Sequence, residues 1–565
     1  MNNIENITII INLLKKHRIK YAVLSPGGTN IPLVRALQDD PYFKCFSIVD
    51  ERSAMYFAIG LYLQTGEIIV TSCTSAQATR NYIPGLTEAF YKHVPILAIT
   101  TSKLQRFVHQ NYMQAPNQIS LPEDSVKKSF SLPQIKDTSD FLASTRMVND
   151  AILELTRDEN GPVQLNIQMQ DFPIEDVDHS FIRSIERFTT ARNIQDIFGK
   201  KIMIIAGENR PYTFNESNAL EQFAAIHNCV IYTNHLSNIS TQHCIDGNLF
   251  LSCSHLPATW ESALPDIVIS IGGQTGDYPL YNFLSKTQYK IEHWAISLDG
   301  KVVDTYDKLT RIYQMSINDF FHESVDIPKE ENHYFEVWKD IENRYIRDME
   351  LPFSNAYLAQ QLHNDIPSES TVNLAILNSI RNWNLFPFRS NIKCFANVAA
   401  FGIDGCTSML IGESVADENL HFLVTGDLAF FYDLNALGIR EIKNNVRILL
   451  VNNNGGVEFK LAGDAKTNQY TNRYIAASDH FKNAKGWAET CGFKYMKANS
   501  KSEFLEQKEI FIQKNNKPIL FEAFTKDIDD ASAYRLILRT NSERDRSLKG
   551  ILKKGISKVK SKING

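Results

Sequence analysis

The sequence lacks the features that mark several classes of protein. Its eight cysteines are scattered without a CxxC pair, so neither a zinc site nor a disulfide framework is indicated. Its 59 basic and 64 acidic residues give a net charge of -5, which gives no reason to expect a nucleic acid partner. The apolar run at residues 7–14 is too short to cross a bilayer and does not resemble a signal peptide. These absences favour a cytoplasmic protein.

The length and the order of apolar segments predict several α/β domains. A chain of 565 residues is too long for one core, and a hydrophobic content of 43% is ordinary for a globular protein. Short apolar strands alternate with helical patterns, which predicts doubly wound parallel sheets. The expected domains are 1–185, 186–345 and 346–540, followed by a tail at 541–565.

One βαβ unit in the last domain carries two polar clusters. The strand HFLVTG ends at Gly426, before Asp427, and the strand VRILLV is followed by NNNGG at 452–456. Singly, each cluster is more often a plain turn. As a pair they lie at the carboxyl ends of neighbouring parallel strands, where open α/β sheets bind ligands. Asp427, Asn453 and Gly455 offer oxygen atoms there, which predicts a seat for a magnesium-bound diphosphate.

The first hundred residues predict a second sheet with polar residues at its carboxyl rim. Three βα units occur in this region, and their strands end near Ser25, Glu51 and Thr74. A single glutamate at the start of a helix is commonly a solvated charge that favours the helix dipole. The sequence blocks around Glu51 make a functional role the better interpretation.

These motifs together resemble those of thiamine diphosphate enzymes. The resemblance rests on VDERSAMYFAIG and TSAQATRNYIPGLTEA near the N-terminus, and on FGIDG, GDLAFFYDLNALG and NNNGG in the last domain. It implies thiamine diphosphate and Mg²⁺ as cofactors. It also implies that Glu51 hydrogen-bonds the aminopyrimidine to activate the cofactor, with Gln114 near the reactive end. A carboxyl group in that role needs apolar surroundings that raise its pKa.

The same resemblance assigns the other cofactor residues. Ile403 is expected to hold the cofactor in a bent shape, the alternative being that it only fills the core. The implied metal ligands are Asp427, Asn453 and the carbonyl of Gly455. In this family the glutamate of one subunit meets the diphosphate domain of another, which implies a homodimer or homotetramer. The residues expected to bind the cofactor are Ser25, Pro26, Thr74, Asn81, Gly402, Ile403, Gly426, Asp427, Leu428, Ala429, Asn453 and Gly456.

Within the family, the chain is similar to the menaquinone-pathway branch that joins decarboxylated 2-oxoglutarate to isochorismate. That branch binds acidic substrates through arginines, whose planar forks fit carboxylates. Thr29, Val398 and Asp277 stand at the corresponding positions here. We therefore expect a decarboxylase and carboligase that acts on a different 2-oxo acid and acceptor. The candidate substrate residues are Thr29, Asn30, Lys103, Asn378 and Asn397.

Two alternatives remain open at this point. One is the menaquinone-pathway synthase itself, and the other is a non-catalytic cofactor-binding homologue that associates with a membrane. The final stretch, RSLKGILKKGISKVKSKING, has apolar residues interleaved with lysines. It predicts a basic amphipathic segment that contacts anionic lipid or an acidic partner, or else a frayed tail, because Gly550 and Gly555 weaken a helix.

Overall fold

The computed structural model contains three parallel β-sheets, with helices between their strands. It confirms the prediction of three doubly wound α/β domains, while the exact domain limits stay predictions. Beyond residue 543, the predicted basic tail lies outside the described residues. The described residues are 4–169, 185–192, 194, 197–253, 257–287, 289–301, 303–324, 332–389, 391–461 and 473–543.

The first sheet has six strands in the order β2-β1-β3-β4-β6-β5. The strands are β1 Tyr21–Leu24, β2 Lys44–Ser47, β3 Ile69–Cys73, β4 Ile96–Ser102, β5 Lys128–Leu132 and β6 Val163–Gln168. The helices are α1 Ile4–Lys16, α2 Ile31–Gln38, α3 Glu51–Thr65, α4 Ala78–Asn81, α5 Ile83–Tyr91 and α6 Thr138–Glu154. Strands β3 and β4 are buried throughout, as expected for a parallel sheet covered by helices on both faces.

The second sheet has seven strands in the order β10-β9-β8-β11-β12-β13-β7. The strands are β7 Glu186–Phe188, β8 Ile202–Ala206, β9 Val230–Thr233, β10 Cys244–Asp246, β11 Ile267–Ile271, β12 Glu292–Ser297 and β13 Leu309–Gln314. The helices are α7 Phe214–His227, α8 Asn248–Ser252, α9 Pro257–Ala263, α10 Tyr278–Ser285, α11 Ile317–Glu323 and α12 Tyr334–Arg344.

The third sheet has six strands in the order β15-β14-β16-β17-β19-β18. The strands are β14 Thr371–Leu374, β15 Lys393–Phe395, β16 His421–Gly426, β17 Val446–Asn452, β18 Lys494–Ala498 and β19 Ile519–Phe524. The helices are α13 Asn355–Leu362, α14 Asn378–Trp383, α15 Cys406–Ser414, α16 Asp427–Tyr432, α17 Glu458–Leu461, α18 Lys485–Thr490 and α19 Lys501–Ile512. A further helix, α20, covers 527–543.

The first and third sheets share one winding pattern. In each, the direction of winding reverses between the first strand and the third, that is, between β1 and β3 and between β14 and β16. Open α/β sheets form their ligand crevices at such reversals, outside the carboxyl ends of the strands. Pro26 and Thr74 follow the first pair of strands, and Leu377 and Asp427 follow the second. The topology therefore gives each sheet one crevice.

Shared cores hold the sheets together. One apolar cluster runs from the second sheet into the third and contains the fully buried Trp338 and Trp383. Ile475, from the third domain, packs into the core of the first domain. None of the helices in the described part of the chain has the length and apolar character needed to cross a membrane.

Candidate active site

One cavity of about 490 Å³ lies where the carboxyl edges of the first and third sheets meet. It brings together most of the residues that the sequence nominated for catalysis, cofactor binding and metal binding. Those on its wall are Pro26, Glu51, Thr74, Asn81, Gln114, Asn378, Gly402, Ile403, Gly426, Asp427, Leu428, Ala429, Asn453, Gly455 and Gly456.

Five nominated residues lie off the cavity wall, namely Ser25, Thr29, Asn30, Lys103 and Asn397. The hydroxyl of Thr29 is 2.9 Å from that of Thr74 and 2.7 Å from that of Thr101. Asn30 is fully buried and donates to Ser72 Oγ at 2.8 Å. Thr29 and Asn30 therefore hold the turn behind the cavity in place.

The other three residues, Ser25, Asn397 and Lys103, also lie among protein groups away from the cavity wall. Ser25 is fully buried at the end of β1. Asn397 donates its side-chain N–H to the carbonyl of Asp404 at 2.8 Å, which fixes the turn before α15. The Lys103 ammonium lies 5.9 Å from the centre of the Tyr112 ring. None of the three lines the cavity, so their predicted ligand contacts are not supported by the geometry.

The cavity combines Glu51 and Asp427 of the same chain. The resemblance led us to expect that these two groups come from different subunits. Within this chain, however, the Tyr432 hydroxyl donates to Glu51 Oε2 at 2.5 Å, across the two domains. The packing of Ile475 into the first core explains why the two edges meet. Oligomerisation therefore stays a prediction and does not follow from the site.

Asp427 begins α16 and is only 2% exposed. Its Oδ1 accepts the Leu428 N–H at 2.7 Å, and its Oδ2 accepts the Gly455 N–H at 3.0 Å. His480 Nε2 is 3.1 Å from the same Oδ2. The carboxylate therefore links the ends of β16 and β17 and is held at the wall of the cavity.

Asn453 is oriented by a buried carboxyl group. Its Nδ2 donates to Asp530 Oδ2 at 2.7 Å, while its buried Oδ1 has no hydrogen-bond partner among the described residues. Burial raises the pKa of Asp530 to about 6, although hydrogen bonds from Asn355, Asn453 and Thr525 act to lower it. An unpartnered amide oxygen and the Asp427 carboxylate on the wall of the same cavity are both hard oxygen ligands of the kind that Mg²⁺ accepts. The residues therefore fit a magnesium diphosphate.

Glu51 also lines the cavity, lies at the start of α3, and is 6% exposed. Burial raises its pKa to about 7, the Tyr432 hydrogen bond acts to lower it, and the nearby Asp404 and Asp50 act to raise it further. A carboxyl group with this pKa exchanges protons readily at neutral pH. This agrees with the expectation of a raised pKa at Glu51.

Sequence reasoning missed an arginine on the cavity wall. Arg381 in α14 faces Glu458 with both ends of its guanidinium, and Nη2 donates to Oε1 at 2.8 Å. Burial alone would lower the pKa of Arg381, but Glu458 raises it above its ordinary value. The available signal was its position three residues after Asn378, because residues so spaced share a helix face. Tyr432, Glu458, His480 and Asp530 were also missed.

Asp277 and Val398 stand where the menaquinone-pathway branch is expected to have positive charge, and neither residue lines this cavity. Asp277 is 3% exposed, accepts the Tyr232 hydroxyl at 2.6 Å, and caps α10 through the Leu280 N–H at 3.1 Å. Val398 is fully buried in the core. Neither residue sets the charge of the cavity, whereas Arg381 supplies a cation at a different position.

The fold and the site define a thiamine diphosphate-dependent enzyme. The family model "Thiamine pyrophosphate enzyme, N-terminal TPP binding domain" matches residues 6–121. A curated relative from Bacteroides thetaiotaomicron is 31% identical over 545 residues, which cover 93% of this chain and 97% of the relative. Its name is 2-succinyl-5-enolpyruvyl-6-hydroxy-3-cyclohexene-1-carboxylate synthase. The chain therefore belongs to the family of these synthases.

Other curated relatives carry the same name. The Bacteroides fragilis protein is 31% identical over 550 residues, covering 93% of this chain and 97% of the relative. The Flavobacterium johnsoniae protein is 27% identical over 543 residues, covering 92% and 96%. These names show that our expectation of a substrate pair outside the menaquinone pathway was wrong. The physical reason is that Thr29, Val398 and Asp277 do not line the cavity, so their lack of positive charge does not report on the substrate.

Proposed function

We propose that this enzyme is a 2-succinyl-5-enolpyruvyl-6-hydroxy-3-cyclohexene-1-carboxylate synthase. It decarboxylates 2-oxoglutarate, releases carbon dioxide and joins the remaining four-carbon fragment to isochorismate. The observation that carries the proposal is a single cavity lined by Glu51, Asp427 and the cation Arg381. The names of the curated relatives support the same reaction.

Asp427 and Asn453 hold Mg²⁺ through side-chain oxygens, with Gly455 as a further ligand through its carbonyl. Support comes from the buried carboxylate of Asp427 and from the unpartnered Oδ1 of Asn453. Gly455 has a φ of 153° and lies so close to Ser478 that a Cβ would be 2.7 Å from its hydroxyl oxygen. Only glycine fits this close approach to Ser478. When bound, thiamine diphosphate supplies the carbon that attacks the 2-oxo group and the ring that takes up electrons as carbon dioxide leaves.

Glu51 holds and exchanges a proton with the pyrimidine nitrogen of the cofactor. Its pKa of about 7 suits this role, since both protonation states are populated near neutral pH. Ile403 supports the cofactor from the wall of the cavity, and Gln114 offers a polar side chain on the same wall. Glu51 is only 6% exposed, so bulk water is largely excluded from the acid.

Arg381 binds the second carboxylate of 2-oxoglutarate. A guanidinium group presents parallel N–H donors that match the two oxygens of a carboxylate. In the structure this fork is turned towards Glu458, which also lines the cavity. We propose that the substrate carboxylate takes the place of Glu458 against Arg381.

The test is product formation by the purified protein with thiamine diphosphate, Mg²⁺, 2-oxoglutarate and isochorismate. We expect carbon dioxide release, consumption of isochorismate and a product whose mass equals the sum of the substrates less carbon dioxide. Glu51→Gln is the matched control, since it keeps the shape of the side chain. Release of carbon dioxide from pyruvate in preference to 2-oxoglutarate, with isochorismate unused, would contradict the proposal.

We also propose a cytoplasmic homo-oligomer. The described structure contains no disulfide bond between cysteines, which fits a reducing compartment. Support for an oligomer comes from the family resemblance alone, and sedimentation velocity at several protein concentrations tests it. A species with the mass of a single chain at micromolar concentration would contradict it.

A further inference from the structure

Tyr432 connects the active-site glutamate of the first domain with the helix that begins at Asp427 in the third. We propose that Tyr432 is a positioning residue, which fixes the orientation of the Glu51 carboxylate and stabilises its ionised form. This inference rests on the proposed role of Glu51 towards the cofactor. It adds a residue that neither the motifs nor the family resemblance singled out.

The hydrogen bonds around Tyr432 fix the direction of its proton. The Asn81 amide Nδ2 donates to Tyr432 Oη at 2.6 Å, and Tyr432 Oη lies 2.5 Å from Glu51 Oε2. A phenol has one hydrogen, and here its oxygen already accepts from Asn81. The phenolic hydrogen is therefore aimed at the Glu51 carboxylate. A short bond of this kind, between a hydroxyl and a carboxylate, is stronger than one between neutral groups.

Tyr432 is itself held in place by both ends of its helix. At the start of α16, Asp427 accepts the Gly455 N–H at 3.0 Å. Immediately after its end, Asp433 accepts the Ser408 N–H at 2.7 Å and the Ser408 hydroxyl at 2.9 Å. The phenol therefore extends from a fixed backbone, and Glu51 is aligned to it.

The hydrogen bond from Tyr432 opposes the effect of nearby acids on the charge of Glu51. Asp404 and Asp50 are both acids and disfavour a second negative charge at Glu51. Cys73 and Tyr82 also interact with Glu51, and burial raises the pKa of both groups so that they stay neutral. Of the interactions that favour the ionised carboxylate, the bond from Tyr432 is the largest.

Tyr432 stays a hydrogen-bond donor wherever Glu51 titrates. Burial raises the pKa of Tyr432 well above its ordinary value, and the charge of Glu51 raises it further. The phenol therefore keeps its proton at every pH at which Glu51 changes charge. Its effect on Glu51 is to favour carboxylate over carboxylic acid and to hold one oxygen, leaving the other oxygen for the cofactor.

The test compares Tyr432→Phe with the parent protein in two measurements. In the cofactor-free protein, infrared difference spectra against Glu51→Gln, recorded across pH, give the titration midpoint of Glu51. We expect the midpoint to rise by about one pH unit in Tyr432→Phe, since a lost hydrogen bond to a charged group has that magnitude. In the loaded enzyme, deuterium exchange at C2 of thiamine diphosphate should slow about fivefold at pH 7, in proportion to the ionised fraction of Glu51, and recover as the pH rises.

A matched control is Tyr289→Phe, which removes a hydroxyl that donates to Asp266 Oδ1 at 3.0 Å in the second domain. In this variant, the titration midpoint of Glu51 and the rate of deuterium exchange at C2 should equal those of the parent. Asn81→Ala is a second test of the role of Tyr432. It removes the hydrogen bond that the phenol accepts from Asn81, while the phenol itself remains. We expect a smaller rise of the Glu51 midpoint, and little further change when it is combined with Tyr432→Phe.

The outcomes separate this inference from the proposed function. If the parent exchanges the C2 deuteron and Tyr432→Phe matches it in both measurements, the positioning role is overturned. If the parent shows no exchange that depends on Glu51, the proposed function is overturned, while the infrared midpoints still decide whether Tyr432 acts on Glu51. A raised midpoint in Tyr432→Phe and a parental one in Tyr289→Phe support the inference.

Discussion

Asn453 donates its side-chain N–H to Asp530 Oδ2 at 2.7 Å, and this contact decides which atom of the amide faces the cavity. With the nitrogen bound to the carboxylate, the oxygen Oδ1 is left without a partner among the described residues. Asp530 is 4% exposed and lies in α20, far along the chain from the NNNGG motif. The proposed metal ligand is thus oriented by a residue outside its motif.

Asp530→Asn should weaken Mg²⁺ binding about tenfold, a typical effect for a residue that orients a metal ligand. Both Asp530 oxygens accept hydrogen bonds, Oδ1 from the Asn355 N–H and Oδ2 from Asn453, whereas an amide has one oxygen to serve these two donors, so the orientation of Asn453 is weakened. Calorimetric titration of Mg²⁺ with saturating thiamine diphosphate measures the change. Asp529→Asn removes the same charge one residue away and should bind like the parent. If Asp530→Asn binds Mg²⁺ as tightly as the parent, Asp530 does not orient Asn453 as a metal ligand.

Asp427→Ala should abolish Mg²⁺-dependent binding of thiamine diphosphate, because the metal would lose a buried carboxylate and the diphosphate its counter-charge. Asp427→Asn keeps one side-chain oxygen and should show an intermediate affinity. Calorimetry with and without Mg²⁺ reports both variants. If Asp427→Ala binds as tightly as the parent, the diphosphate lies elsewhere in the cavity.

Much of this site follows from local sequence. The turns after β1, β3, β16 and β17 are short, so residues such as Pro26, Thr74 and Asp427 had to lie at a sheet edge. Local sequence does not say which side of a turn faces the cavity. Thr29 therefore looked like a substrate contact, although it bonds to Thr74 behind the wall.

The residues that were missed depend on contacts between segments that are far apart in the sequence. Tyr432 reaches Glu51 only because the third domain packs on the first, 381 positions away in sequence. Arg381 faces Glu458 from another segment of the third domain, 77 positions away. Comparing positions one at a time therefore left Lys103 as the single expected cation and missed Arg381, and it led to the wrong substrate class.

Glu51→Gln should stabilise the cofactor-free protein above neutral pH. The pKa of Glu51 rises from an ordinary 4.5 to about 7 on folding, so the folded state binds this proton more tightly than the unfolded chain. Stability from this group is therefore lost as the pH rises from 4.5 to 7, by about 3 kcal/mol in total. The amide in the variant does not ionise, so the variant would escape that loss.

Thermal unfolding at pH 4 and pH 8 measures this difference. The variant should melt close to the parent at pH 4 and clearly above it at pH 8. An equal difference at both values of pH would mean that Glu51 is not the titrating group.

Arg381 is the basis of the last prediction, which concerns the choice of donor acid. Pyruvate and 2-oxoglutarate share the 2-oxo acid group, and only the second has a further carboxylate. Arg381→Ala should raise KM for 2-oxoglutarate by about tenfold to a hundredfold, the usual loss for a hydrogen-bonded charge pair. KM for pyruvate should change little. Arg381→Lys keeps the charge but loses the planar fork, so an intermediate value is expected.

Glu458→Gln tests the same idea in the opposite direction. Glu458 holds the Arg381 fork in the structure, so a substrate carboxylate must displace it. A neutral amide at this position would bind the guanidinium less strongly, and KM for 2-oxoglutarate should fall while KM for pyruvate stays the same. Initial rates of carbon dioxide release, with each donor varied separately, give all of these constants. If Arg381→Ala raises both KM values equally, Arg381 supports the cavity as a whole and the carboxylate is bound elsewhere.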